Sequence, residues 1–357
     1  MCTVWTPPIS VRERLKNIEV ELLNLNEINF TRIILLGLMM VLFISISSIA
    51  AKAIAKNASS ENYQPEIGEN PAYYASRASL NRMLDGTAHR PFVNRTLVPQ
   101  LTNALTFLIP SGMETLLPNP SYSLALRYAI LLDTLFLAGW ILASRWLIGL
   151  FHPATSGQWL DFIGLISLIC LWPMLSRHYL YDFSSLFFAT LLYGLLYQRR
   201  LGWFTFVYTI ALFNKETAVL MLIPAVWWLK RYEWPALWLV IFILSRVVLF
   251  LAFGKNEGTT LEFHLFEQLG GYLAHPQGSL LIFLATSLLL FRLKSLWVTQ
   301  ADFIRYNFAW LAPIYLILQL LFGMPHEIRV FLELYPLTII LVLKNQLYIP
   351  TRGKLCP

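Results

Sequence analysis

Charge is what this sequence has least of. Only 13% of its 357 residues are charged and 57% are hydrophobic, against roughly 25% and 45–50% in an ordinary soluble chain. That balance excludes a cytosolic globular enzyme and a disordered chain. Cysteine is nearly absent. Cys2, Cys170 and Cys356 stand far apart, so no disulfide framework follows and no pair has metal-ligand spacing. There is no glycine-rich phosphate loop, no His-Glu-x-x-His and no serine-nucleophile elbow, which leaves nucleotide-driven cytoplasmic chemistry without support. Internal repeats and low-complexity tracts are missing too. The formal net charge of +7 would suggest nucleic acid in a soluble protein. Here the basic residues sit at the edges of apolar blocks, where orientation and lipid phosphates account for them.

What is present is a series of apolar blocks, at 33–51, 124–151, 159–175, 183–197, 201–213, 218–229, 235–253, 279–291, 307–323 and 330–343. A span needs about 20 apolar residues, fewer where neighbouring helices flank it. The expected fold is therefore all-α, a polytopic transmembrane helix bundle of about ten spans. Residues 1–32 form a cytoplasmic N-terminal segment whose stretch 11–29 reads as an amphipathic helix on the membrane surface. Residues 33–343 are the membrane domain, with a long outer loop at 54–123, and 344–357 are a basic cytoplasmic tail. Cations Arg12, Arg14, Lys16 and Arg32 precede the first block, which reads as an uncleaved signal-anchor. With a cytoplasmic N-terminus, the inner side also receives Arg145, Arg199, Arg200, Lys230, Arg231, Arg292, Lys294 and Arg305, as the positive-inside rule requires.

Polar residues gather on the other side, in five clusters. Glu66 and Glu69, followed by Tyr73 and Tyr74, lie in the long loop. The two acids suit a general base with its helper or a loop cap, and the paired rings suit a sugar face or the membrane interface. Arg77, Arg82, Arg90 and Arg95 oppose the topological charge rule there, so they need an anion, a lipid headgroup or a substrate phosphate. Arg177 and Asp182 flank His178, Tyr179 and Tyr181. Asn214-Lys215-Glu216-Thr217 separates two short apolar blocks, an expensive place for a Lys-Glu pair unless it acts or pairs outward. The last cluster is Pro325-His326-Glu327-Ile328-Arg329, running on to Glu333. The histidines are scattered, and no metal ligand set follows. A short amphipathic helix is expected over 97–109.

This layout resembles the C-type (GT-C) superfamily of membrane glycosyltransferases, which use polyprenyl-phosphate-linked sugars and keep the catalytic carboxylate in the first outer loop. His326-Glu327-Ile328-Arg329-Val330 is similar to the His-Lys-Glu-x-Arg-Phe motif of mannosyltransferases in that group, without its Lys and with Val330 in place of Phe. The resemblance implies a sugar donor on a polyprenyl phosphate and a glycan, lipid or protein acceptor. It implies Glu69 as base with Glu66 second, and substrate contacts from Tyr73, Tyr74, Arg95, Arg177, Asp182, Lys215, Glu216, His326, Glu327 and Arg329. It implies no obligatory cofactor or metal and no nucleic acid. The setting would be a bacterial plasma membrane. A transporter or flippase of a lipid-linked sugar, or a non-catalytic subunit of a membrane complex, would present the same charges.

Overall fold

A computed structural model describes residues 11–58, 80–90, 92–108, 122–151, 157–172, 178–258, 265–266, 270, 302–322 and 328–347, with the backbone alone for 11–31, 56–58, 157–160, 162, 170, 328–330 and 342–347. Among the described residues the chain is all-helical. The elements are α1 (Val11–Ala58), α2 (Leu80–Leu84), α3 (Leu97–Leu108), α4 (Leu124–Phe151), α5 (Gly157–Leu171), α6 (Asp182–Tyr197), α7 (Leu201–Asn214), α8 (Leu222–Leu229), α9 (Glu233–Phe253), α10 (Asp302–Phe322) and α11 (Tyr335–Leu347). Short 3-10 turns at Phe92–Asn94, Glu216–Met221 and Ile328–Leu334 lead into α3, α8 and α11.

Among the described residues, four stretches are long and apolar enough to cross a membrane: Arg32–Ala55 of α1, α4, α9 and α10. α6, α7 and the 216–229 stretch are shorter apolar helices packed among them. The predicted block 279–291 lies outside the described residues. Prolines sit in the first turns of α3 (Pro99) and α9 (Pro235). A first-turn residue has no intrahelical acceptor for its N–H, so proline costs nothing there. The expected helix at 97–109 is α3, packed against α4. The surface helix expected over 11–29 is not a separate element. It runs unbroken into the first span as a helix of 48 residues, because nothing between 11 and 32 is proline or glycine. At 1.5 Å per residue α1 is about 70 Å long, more than twice the roughly 30 Å hydrocarbon core.

Three contacts define the two ends of the bundle. Near the start of the first span, Arg32 Nε donates to Asp161 Oδ2 at 3.1 Å, and Arg145 near the end of α4 donates to the same carboxylate. Asp161 is 1% exposed, so one buried acid ties α1, α4 and α5 together. At the same end Phe151, Tyr197, Trp228 and Phe303 form an aromatic knot with centroids 4.3–5.9 Å apart. At the far end Ile54, Leu80, Val98, Leu126 and Leu180 form a separate apolar cluster. The cations expected on one membrane face and described here (Arg32, Arg145, Arg199, Arg200, Lys230, Arg231 and Arg305) therefore share one end.

α4 and α6 pack along much of their length, and Gly194 leaves the room that the Trp146 indole occupies. A Cβ at that position would stand 2.2 Å from Trp146 Cζ3. Gly194→Ala must push the indole aside, and overpacking of this kind costs typically 1–3 kcal/mol. Thermal unfolding of the variant in detergent is expected to show that loss, and Gly194→Ala with Trp146→Leu is expected to recover most of it.

Candidate functional site

At the end away from the aromatic knot, four connections meet. They are the segment before α3, the turn before α6, the link from α7 to α8 and the 3-10 turn before α11. Each carries polar residues between apolar helices.

Arg95 precedes α3, and its guanidinium is forked onto Glu216: Nη2 donates to Oε1 at 2.7 Å and Nε to Oε2 at 3.3 Å. Nη1 donates to the Tyr181 hydroxyl, and the guanidinium lies over the Tyr181 ring, 4.4 Å from its centroid. This planar fork fits two carboxylate oxygens as it fits two phosphate oxygens. Burial would raise the Glu216 carboxyl, but the charge and hydrogen bonds of Arg95 outweigh it and hold the group at about 2. A carboxylate so acidic is a poor base. It serves as a counter-ion.

One residue earlier, Lys215 Nζ pairs with Glu333 Oε1 at 2.9 Å, and Thr217 Oγ1 donates to the same oxygen at 2.6 Å. Glu333 is 4% exposed. Tyr193 and Tyr315, both fully buried, lie within reach of its charge. Asn214 closes α7 and anchors the turn before α6. Its Nδ2 donates to Ser185 Oγ at 2.9 Å, Ser185 Oγ donates to the Tyr181 carbonyl at 2.6 Å, and Ser184 Oγ donates to Asn214 Oδ1 at 2.6 Å. This chain of bonds fixes the turn that presents the Tyr181 hydroxyl to Arg95. Ser185, Asn214, Lys215 and Glu333 line a cavity of about 10 Å³, room for one water.

Behind Tyr181 is a second, fully buried group. His178 Nε2 lies 2.9 Å from Asp133 Oδ2 of α4, and His178 Nδ1 lies 3.8 Å from Asp182 Oδ2. Asp182 Oδ2 also accepts from the Tyr179 N–H at 2.8 Å, so this oxygen is shared between the Tyr179 backbone and the His178 ring.

Of the predicted site residues, the structure brings Arg95, Lys215 and Glu216 together and sets Asp182 beside them in the adjoining group. The cations face carboxylates of this chain: Arg95 is neutralised by Glu216 and Lys215 by Glu333. Glu66, Glu69, Tyr73, Tyr74, Arg177, His326 and Glu327, with the side chain of Arg329, lie outside the described residues. Sequence reasoning passed over Asp133 and Glu333 as site members, although each is an acid inside an apolar block, and an intramembrane carboxylate is by default functional. Tyr181 gave no separate signal, since an aromatic beside a span is common at interfaces.

The chain matches no protein family, no curated protein and no solved structure.

Proposed function

We propose that this chain is a multi-pass membrane glycosyltransferase that moves a sugar from a polyprenyl-phosphate donor to an acceptor on the extracytoplasmic face, as in the C-type (GT-C) superfamily. What supports the reading is the convergence of Arg95, Tyr181 and Lys215, with their counter-ions, from connections far apart in the chain onto one end of an apolar bundle. The opposite end collects Arg32, Arg145, Arg199, Arg200, Lys230, Arg231 and Arg305. By the positive-inside rule that end is cytoplasmic, which turns the ion-pair cluster outward. The proposed frame has about ten spans, a long first outer loop and the plasma membrane of a bacterium as its setting.

In an inverting displacement the acceptor oxygen attacks the anomeric carbon on the face opposite the phosphate. The carbon–oxygen bond to phosphate breaks, its electron pair leaves with the polyprenyl phosphate, and a carboxylate takes the acceptor proton. The donor diester carries one negative charge and the departing monoester carries more. Cations beside that phosphate therefore stabilise the transition state more than the bound donor. Arg95, Lys215 and Arg329 are assigned to this role, Glu69 to the proton with Glu66 as its helper, and Tyr73 and Tyr74 to the sugar face. No step requires a metal.

The test is transfer from labelled polyprenyl-phosphate sugars by purified protein. Glu69→Gln is expected to lose at least the 10²–10⁴-fold typical of a general base, with thermal unfolding unchanged. Substantial transfer by that variant would remove Glu69 from the role. Movement of the lipid-linked sugar across vesicles with no new glycosidic bond would replace the enzyme reading by a flippase.

A further inference from the structure

We infer that the two turns closing α6 and α8, at the end opposite the ion-pair cluster, form a binding site for the phosphate of an anionic phospholipid headgroup. The charges come first. At this end Arg32 and Arg145 are taken up by Asp161, and Arg305 by Asp302. Arg199, Arg200, Lys230 and Arg231 are all exposed, and among the described residues no carboxylate lies within ion-pair distance of them. Glu233 is the one acid in these two turns.

Backbone conformation is the second observation. Arg199 has φ 56° and Lys230 φ 51°, and these are the left-handed non-glycine residues among those described. α6 ends in a Schellman arrangement, with Arg199 N–H donating to the Leu196 carbonyl at 3.0 Å and Arg200 N–H to that of Leu195 at 2.9 Å. Glycine is the ordinary occupant of such a position, since a Cβ is strained there. Both turns instead hold a long cationic side chain in the strained conformation. Capping the helix dipole would be served by a cation anywhere in the last turn, so it does not account for this choice.

The two turns also adjoin. The Arg199 guanidinium lies 5.9 Å from the ring centroid of Trp228, and Trp228 stacks on Tyr197. Around them Trp203, Trp227 and Tyr232 are 64%, 53% and 74% exposed, and such rings settle at the level of lipid headgroups. Four cations against one acid, held at headgroup depth beside an aromatic floor, complement a lipid phosphate.

The test uses the whole protein in nanodiscs of phosphatidylcholine doped with phosphatidylglycerol, with the lipid retained on the protein measured by native mass spectrometry. The wild type is expected to retain phosphatidylglycerol over phosphatidylcholine. Arg199→Gly with Lys230→Gly is expected to lower that preference about thirty-fold, the factor that two interfacial cations contribute. Glycine suits both backbone positions, so the variant is expected to unfold at no lower temperature. Arg199→Lys with Lys230→Arg is expected to keep the preference. An undiminished preference in the glycine variant would overturn the site and leave these charges a purely topological role.

Discussion

Lys215→Met is expected to destabilise the protein by about 3–5 kcal/mol, the usual cost of removing one partner from a buried ion pair. Lys215 is 12% and Glu333 5% exposed at the side chain, with 2.9 Å between the charged atoms. Without the ammonium, Glu333 keeps its Thr217 hydrogen bond but is left as a charge in an apolar surround, next to Tyr193 and Tyr315. Lys215→Met combined with Glu333→Gln removes both charges, and the shapes stay similar. Replacing a whole buried pair is often close to neutral, so the double variant is expected to recover most of the loss. Unfolding titrations in mixed micelles measure both. Transfer activity separates fold from function, because the double variant is expected to regain stability while remaining inactive: it still lacks the cation assigned to the leaving phosphate. Wild-type stability in Lys215→Met, or full activity in the double variant, would contradict the pairing and the role respectively.

The helices were legible because apolar blocks end where polar residues begin. The block at 124–151 has the bounds of α4, and that at 183–197 differs from α6 by Asp182 alone. Less of the helix termini could be read. The blocks at 218–229 and 330–343 open as 3-10 turns, in the same connections that hold Thr217 and Glu333 against each other. That geometry depends on a contact across 116 residues, which hydrophobic periodicity does not encode. The candidate site shows the same division. Residue type marked Arg95, Lys215 and Glu216 as costly charges at a membrane edge. It did not mark them as partners, since Arg95 and Glu216 stand 121 residues apart. Asp133 is the clearest omission. It is a lone acid within an apolar block, yet its partner His178 comes from the turn before α6 and is known only once α4 and α6 are packed together.

Glu216 holds Arg95 by the fork that the proposed donor phosphate would need, and that sets the sign of the final prediction. A guanidinium engaged by two carboxylate oxygens must exchange them for two phosphate oxygens, so the anion competes with Glu216. Arg95→Gln removes the fork and is expected to weaken binding of polyprenyl phosphate by 2–5 kcal/mol, about 30- to 5,000-fold, as truncation of one side of a charged, desolvated contact does. Glu216→Gln removes the competitor and is expected to tighten that binding about tenfold, at some cost in stability because Arg95 then lacks its counter-ion in the free protein. The pH dependence follows from the same pair. Glu216 is depressed from its ordinary 4.5 to about 2, so the stability it contributes is fully present above pH 4.5 and is lost as pH falls towards 2. At neutral pH it is ionised and competing throughout. Binding of polyprenyl phosphate in detergent, followed by isothermal titration at pH 7, is expected to rank Glu216→Gln above wild type and wild type above Arg95→Gln. Weaker binding in a folded Glu216→Gln would mean that the carboxylate positions the arginine for phosphate and does not stand in for it.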